Sequence, residues 1–288
     1  MIQWDDEIVS AIARRRSVIM IGSGVSRNST NAAGKRPDTW VDFLNKASER
    51  AGNPRVVLEL IQQRDYLTAC EIIKNRLGVD VFIGLVQSEY QRPGYISADI
   101  HKHIYELDSS IVASPNFDLI YDTYATNASR GTLIKKDHTS DDLLSFVSGG
   151  ETRLLLKTHG TADAAHNVIF TRRDYAEART KYRLFYDLLK SLVLTHTFVF
   201  LGCGVDDPDI RLLFEDVQYA YGRMPLHYMT LPEGEVDEDI LSVASLAMKV
   251  KFLKYSPDKG HEELTSSLSE LVTLVESKRA QLAAEQKW

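Results

Sequence analysis

Short apolar runs alternate with longer stretches of helical period along most of this chain. Runs at 17–21, 111–114, 153–158, 168–171, 197–202, 226–231 and 249–254 read as strands. Between several of them, notably at 174–194 and 208–221, apolar residues recur three and four apart, which predicts helices. Residues 4–16 predict a first helix with Ile8, Ile12 and Ala13 on one side. Continuously apolar strands separated by helices belong to a parallel sheet covered on both faces. The pattern therefore predicts an α/β fold with a Rossmann-like parallel sheet.

From Asp38 to about Leu107 the strand signal fades and helical spacing takes over. Asp38 is placed to cap a helix carrying Trp40, Val41, Phe43 and Leu44. Asn53-Pro54 and the neighbourhood of Gly78 read as breaks between helices, and Arg92-Pro93-Gly94 as a turn. These signals predict an all-helical insertion at about 40–108. Leu264, Leu268, Leu271, Val272 and Val275 mark an amphipathic C-terminal helix at about 261–286. Residues 1–288 thus read as a single nucleotide-binding domain with one insertion.

Composition narrows the chemistry. The 34 basic and 40 acidic residues leave a net charge of −6, which gives no global footprint for nucleic acid. Arg14-Arg15-Arg16 reads as a solvated helix end. Two cysteines, Cys70 and Cys203, exclude a disulfide framework and a four-cysteine zinc site. The histidines show no metal-binding pair, so no metal is expected. No apolar stretch reaches the roughly 20 residues that span a bilayer. The acidic start, Met1 to Glu7, lacks the profile of a signal peptide, so a cytoplasmic chain without membrane contact is expected.

The polar residues that close the strands carry the functional signal, because ligands of open α/β sheets gather at the carboxyl ends of strands. Gly22-Ser23-Gly24, with Ser26 behind it, follows the first run, either as an ordinary tight turn or as a phosphate cradle. Asn116 and Asp118 follow the run at 111–114, and His159-Gly160 the run at 153–158. Alone, the first pair is equally an Asx-turn and the second a buried histidine. Gly202-Cys203-Gly204 closes another run, with Cys203 read as a small packing residue, and Asp206-Asp207-Pro208-Asp209 then reads as a helix cap.

The order of these motifs resembles the sirtuin superfamily. Gly22 to Ser26 is similar to its Gly-Ala-Gly-x-Ser turn, and Pro37-Asp38-Thr39-Trp40 stands where its Pro-Asp-Phe-Arg would fall. Pro115-Asn116-Phe117-Asp118 is similar to Gln-Asn-x-Asp, His159-Gly160 to His-Gly, and Gly202-Cys203-Gly204 to Gly-[Thr/Ser]-Ser. The likeness spans roughly residues 17–255. The zinc module of sirtuin deacylases has no counterpart, its place being taken by the helical insertion, and Thr39-Trp40 replaces Phe-Arg. Both departures look like the sirtuin-like NADases of bacterial antiphage defence.

That resemblance implies hydrolysis of NAD to nicotinamide and ADP-ribose, with NAD as substrate and no metal. It implies that Asn116 holds the ribose and orients water, that His159 is general base, and that Asp118 accepts hydrogen bonds from the nicotinamide carboxamide. Gly22, Ser23, Gly24, Ser26, Asp38, Gly202, Cys203 and Gly204 are implied as nucleotide-binding, and Trp40 as a shield on the nicotinamide side. It also implies an effector that depletes NAD when triggered, a homo-oligomer, and a partner such as a hexameric ATPase translocase or a short Argonaute. An NAD-dependent deacylase and a non-catalytic nucleotide-binding subunit stay open as alternatives.

Overall fold

Strand β1 (Ser17–Ile21) is buried along its whole length and divides its side chains between two cores. Val18 and Met20 enter one, Ile19 and Ile21 the other, as the two-residue period of a strand requires. A computed structural model describes residues 1–147, 152–204 and 208–287. Among these, β1 is joined by β2 (Ile111–Ser114), β3 (Ile134–Asp137), β4 (Leu154–Lys157), β5 (Thr197–Leu201), β6 (His227–Pro232) and β7 (Val250–Tyr255). All neighbouring pairs are parallel, in the order β3-β4-β2-β1-β5-β6-β7. From β1 the chain builds outward through β2, then returns to lay β5 on the other side. That reversal opens a crevice at the carboxyl ends of β1, β2 and β5.

Helices cover both faces. One layer contains α1 (Asp6–Ala13), and a short turn of helix, α2 (Ser23–Ser26), follows β1. Next come α3 (Trp40–Arg50), α4 (Arg55–Gln62), α5 (Tyr66–Leu77) and α6 (Val79–Tyr90), which bury Phe43, Leu44, Val57, Ala69, Ile73, Phe82 and Val86 in a core of their own. Helix α7 (Asp99–Glu106) lies within the expected insertion, yet its Ile100 and Ile104 pack on the sheet beside α1. The self-contained helical core therefore closes at α6. Helices α8 (Ile120–Ala128) and α9 (Leu143–Val147) flank β3, and α10 (Arg172–Lys181) and α11 (Arg183–Thr195) lead to β5. Then α12 (Pro208–Tyr221), α13 (Glu238–Met248) and α14 (Asp258–Ala284) complete the two layers, with α14 lying against α1 and α7.

Four local expectations change. The apolar run at 168–171 is not a strand: Val168 to Phe170 run extended out of a 3₁₀ turn (Ala162–Asn167), and Val168 and Phe170 join the helical core. The sheet is completed instead by β3, an edge strand whose Lys135 and Lys136 hide it from an apolar count. The helix expected at 174–194 is two, broken at Tyr182 (φ −108°, ψ 44°). Asp38 is not the cap of α3. Thr39 is, in a capping box where the Asp42 N–H donates to Thr39 Oγ1 at 3.1 Å and the Thr39 N–H donates to Asp42 at 3.0 Å. Asp206, Asp207 and the Asp209 side chain lie outside the described residues.

Candidate functional site

The carboxyl ends of five strands empty into one cleft of about 370 Å³. From β1 come Gly22, Ser23 and Ser26; from β2, Pro115 to Asp118; from β4, His159; from β5, Gly202, Cys203 and Gly204; from β6, Glu235. Its volume lies in the range of small-molecule sites, about 300–1,000 Å³. The helical core supplies the opposite wall through Asp38, Trp40, Arg64, Tyr66 and Tyr90. Asn116 and His159, 43 positions apart in sequence (159 less 116), thus share a cleft because β2 and β4 are neighbours in register, Ser114 opposite Lys157.

Local chemistry fixes each end. After β2, the Asn116 N–H donates to Ser114 Oγ (3.2 Å), and Asp118 accepts the Ile120 N–H (3.1 Å) to open α8 as an Asx-turn. Buried Lys157, the last residue of β4, donates to the Asp118 carbonyl at 2.9 Å and pairs with Asp122 at 3.1 Å. This cation joins the floor of the Asn116 loop to the strand that carries His159. Gly160 has φ +82°, and its turn lets the His159 carbonyl accept the Ile169 N–H at 3.0 Å. His159 is 5% exposed, with Tyr175 edge-on to its ring at 5.1 Å and the Tyr175 hydroxyl 3.4 Å from Nδ1.

Gly24 stands apart from its expected role. It does not line the cleft; its N–H donates to the Gly202 carbonyl at 2.9 Å, locking one glycine turn against the other. Cys203 points its thiol at the Met20 carbonyl (3.6 Å), as a packing residue does. Trp40 packs on Tyr66 (5.4 Å between centroids) and Phe170 (5.9 Å) at the cleft wall. Asp38 is buried beside Lys46 and Glu89. Burial raises its carboxyl above the usual range, and the Glu89 charge adds to that against the Lys46 hydrogen bond. Glu89 itself, although burial opposes its charge, is held below the usual range by Lys35, Tyr95 and the Asp38 N–H.

Sequence reading missed the aromatic wall. Tyr66, Tyr90, Phe117, Ile169 and Tyr175 line the cleft, and Phe117 stacks on Phe170 at 4.8 Å. Nothing in their spacing separates them from ordinary core residues. Glu235 follows β6 by three positions, and the rule that strand ends carry ligands was the available signal.

Comparison with known proteins places this architecture. Residues 111–252 match the SIR2-like domain. The chain is 27% identical over 217 residues to defense-associated sirtuin 2 of Bacillus subtilis, covering 74% of this chain and 20% of that protein. It is 24% identical over 213 residues to the NAD(+) hydrolase ThsA of Enterococcus faecium, covering 73% of this chain and 41% of the relative. A ThsA NAD(+) hydrolase of Cytobacillus dafuensis is 19% identical over 217 residues, 75% of this chain and 41% of its own length. The chain thus spans between a fifth and about two fifths of the curated relatives it matches. The parallel sheet whose strand ends gather Asn116, His159 and two glycine turns is thus similar over residues 111–252 to the SIR2-like domain, and over about three quarters of the chain to a defense-associated sirtuin and to NAD(+) hydrolases.

Proposed function

We propose that this chain hydrolyses NAD at the bond between ribose and nicotinamide, as an NAD-depleting effector of antiphage defence. The observation that carries the reading is the meeting of Asn116 and His159 in one cleft, bounded by the glycine turns Gly22-Ser23 and Gly202-Cys203-Gly204. Names of the relatives that match three quarters of the chain point the same way. Nicotinamide in NAD is a cationic leaving group and departs without protonation, so the protein's task is to hold the ribose and supply water. The C1′–N bond breaks with its electron pair going to nicotinamide, and a water oxygen forms the new bond to C1′. Asn116 orients that water and His159 takes its proton, a role suited to an imidazole near neutral pH. The glycine turns lie against the pyrophosphate and adenosine, and the aromatic wall with Trp40 shields the nicotinamide side from solvent.

The chain works as a homo-oligomer under the control of a partner chain, a hexameric ATPase translocase or a short Argonaute being the candidates from resemblance. The test of the reaction is nicotinamide release from NAD by the wild type, alone and with the product of the neighbouring gene. Asn116→Ala and His159→Ala should each lower turnover by orders of magnitude while keeping the melting temperature. Wild-type turnover in both variants would overturn this assignment.

A further inference from the structure

We propose that Ser26 and Asp118 are positioning residues that fix the amide of Asn116 with its oxygen presented for catalysis; this rests on the NAD-cleaving reading above. Ser26 Oγ donates to Asp118 Oδ2 at 2.7 Å and accepts from Asn116 Nδ2 at 3.0 Å. Ser26 is 4% and Asp118 5% exposed, so both hydrogen bonds are made away from bulk water.

Counting protons decides the direction. A serine hydroxyl has one proton to give, and a carboxylate only accepts. Ser26 must therefore spend its proton on Asp118, and toward Asn116 its oxygen can only accept. Only the nitrogen of Asn116 can donate there. Turning the amide over would set its oxygen against a hydroxyl oxygen whose proton points elsewhere, or draw that proton off and leave Asp118 Oδ2 short of a donor. Either outcome leaves a buried polar group unsatisfied, at about 1–3 kcal/mol. The amide assignment, which atomic positions alone leave ambiguous, follows from the chain of donors.

The other contacts of Asp118 make the arrangement rigid. Its Oδ1 accepts the Ile120 N–H at 3.1 Å and its carbonyl accepts from Lys157 at 2.9 Å. Each carboxylate oxygen thus has a protein donor, which holds the Asp118 carboxylate, and with it the Ser26 hydroxyl, in one orientation. With one Nδ2 proton given to Ser26, the amide is held in one orientation, and its carbonyl oxygen is an acceptor for a proton of the attacking water or of a ribose hydroxyl.

The decisive variants are Ser26→Ala, Ser26→Thr and Asp118→Asn. Ser26→Ala releases the amide and should lower kcat by about 100-fold, the scale of a misplaced catalytic group, with KM for NAD nearly unchanged. Ser26→Thr retains the hydroxyl and should restore most of kcat. Asp118→Asn is isosteric but supplies an N–H to Ser26, which turns the serine proton toward Asn116 and the amide nitrogen toward the cleft; kcat should fall as far as in Ser26→Ala. If Ser26 and Asp118 instead touch the nucleotide, calorimetry with NAD will show weakened binding and KM will rise with kcat little changed, which overturns the proposal. A second readout needs no turnover: the side-chain amide resonance of Asn116 in ¹⁵N-asparagine-labelled protein, assigned by its loss in Asn116→Ala. It should move in Ser26→Ala and Asp118→Asn, and an unmoved resonance sinks the relay. A wild type that releases no nicotinamide defeats the reaction assigned above, while the resonance still decides the relay.

Discussion

Gly24 and Gly202 meet backbone to backbone: the Gly24 N–H donates to the Gly202 carbonyl at 2.9 Å, and a Cβ on Gly24 would lie 2.9 Å from Gly202 Cα. The two glycine turns are thus a structural joint between β1 and β5 as well as a wall of the cleft. Gly202 has φ +61°, and a Cβ there would fall 2.6 Å from the Val25 nitrogen. Gly202→Ala meets both a left-handed backbone, about 1–2 kcal/mol, and a clash with main chain that cannot swing aside. Gly34 shares the positive φ (+74°) but has nothing among the described residues within 4 Å of a Cβ. Urea unfolding should therefore show Gly202→Ala losing at least about 1 kcal/mol more than Gly34→Ala. Equal losses would show that the close approach costs nothing.

The buried pair Lys157 and Asp122 is the second joint under the cleft. Their side chains are 2% and 8% exposed, and Lys135 at 3.7 Å from Asp122 is the second cation there. Lys157→Met strands a buried carboxylate and removes the donor to the Asp118 carbonyl, a loss of about 3–5 kcal/mol softened by Lys135. Adding Asp122→Asn should return part of it, because the stranded charge is gone. A denaturation cycle over the two singles and the double measures this coupling. Additive effects would mean the pair is not coupled.

Much of this arrangement was legible in the sequence because buried parallel strands are continuous apolar runs: β1, β2 and β5 lie within a residue of where their runs fall. Asn116, His159 and the two glycine turns were legible for the same reason, as polar residues that interrupt such runs. What failed was short or two-sided. Val168-Ile169-Phe170 has a strand's composition but is buried against helices, whereas Ile134-Lys135-Lys136-Asp137 has an edge strand's polarity and pairs with β4. The roles of Ser26 and Gly24 depend on partners about 90 and 180 residues away (Asp118 and Gly202), which no local pattern encodes.

Tyr175 reaches the candidate base from α10, a contact absent from any motif. Its hydroxyl lies 3.4 Å from His159 Nδ1 and its ring packs edge-on to the imidazole. Tyr175→Phe keeps the ring and removes the hydroxyl. On the NAD-cleaving reading, kcat/KM should fall by about threefold to tenfold, the worth of one modest hydrogen bond, with the melting temperature unchanged. Tyr175→Ala, which also empties a buried site, should lose stability as well. Full activity in Tyr175→Phe would leave the hydroxyl without a part in orienting His159.

His227 should make the fold sensitive to mild acid. The Phe198 N–H donates to its Nδ1 at 3.0 Å, so its own proton sits on Nε2, buried against the Phe214 ring at 4.8 Å. Burial, with the Lys249 charge behind it, pushes its pKa from 6.5 down to about 3. The unfolded chain therefore binds a proton near pH 6.5 that the folded chain refuses until about pH 3. Stability from this residue is complete above the upper value and is lost as pH falls, by about 1.4 kcal/mol per pH unit within the window. Burial lowers His101, His138 and His196 in the same direction, so His227 supplies one share of the slope. His227→Gln keeps an acceptor for the Phe198 N–H but cannot titrate. Urea midpoints at about pH 7, 6 and 5 should fall less steeply in this variant than in the wild type. An equally steep fall would assign the acid sensitivity to the other histidines.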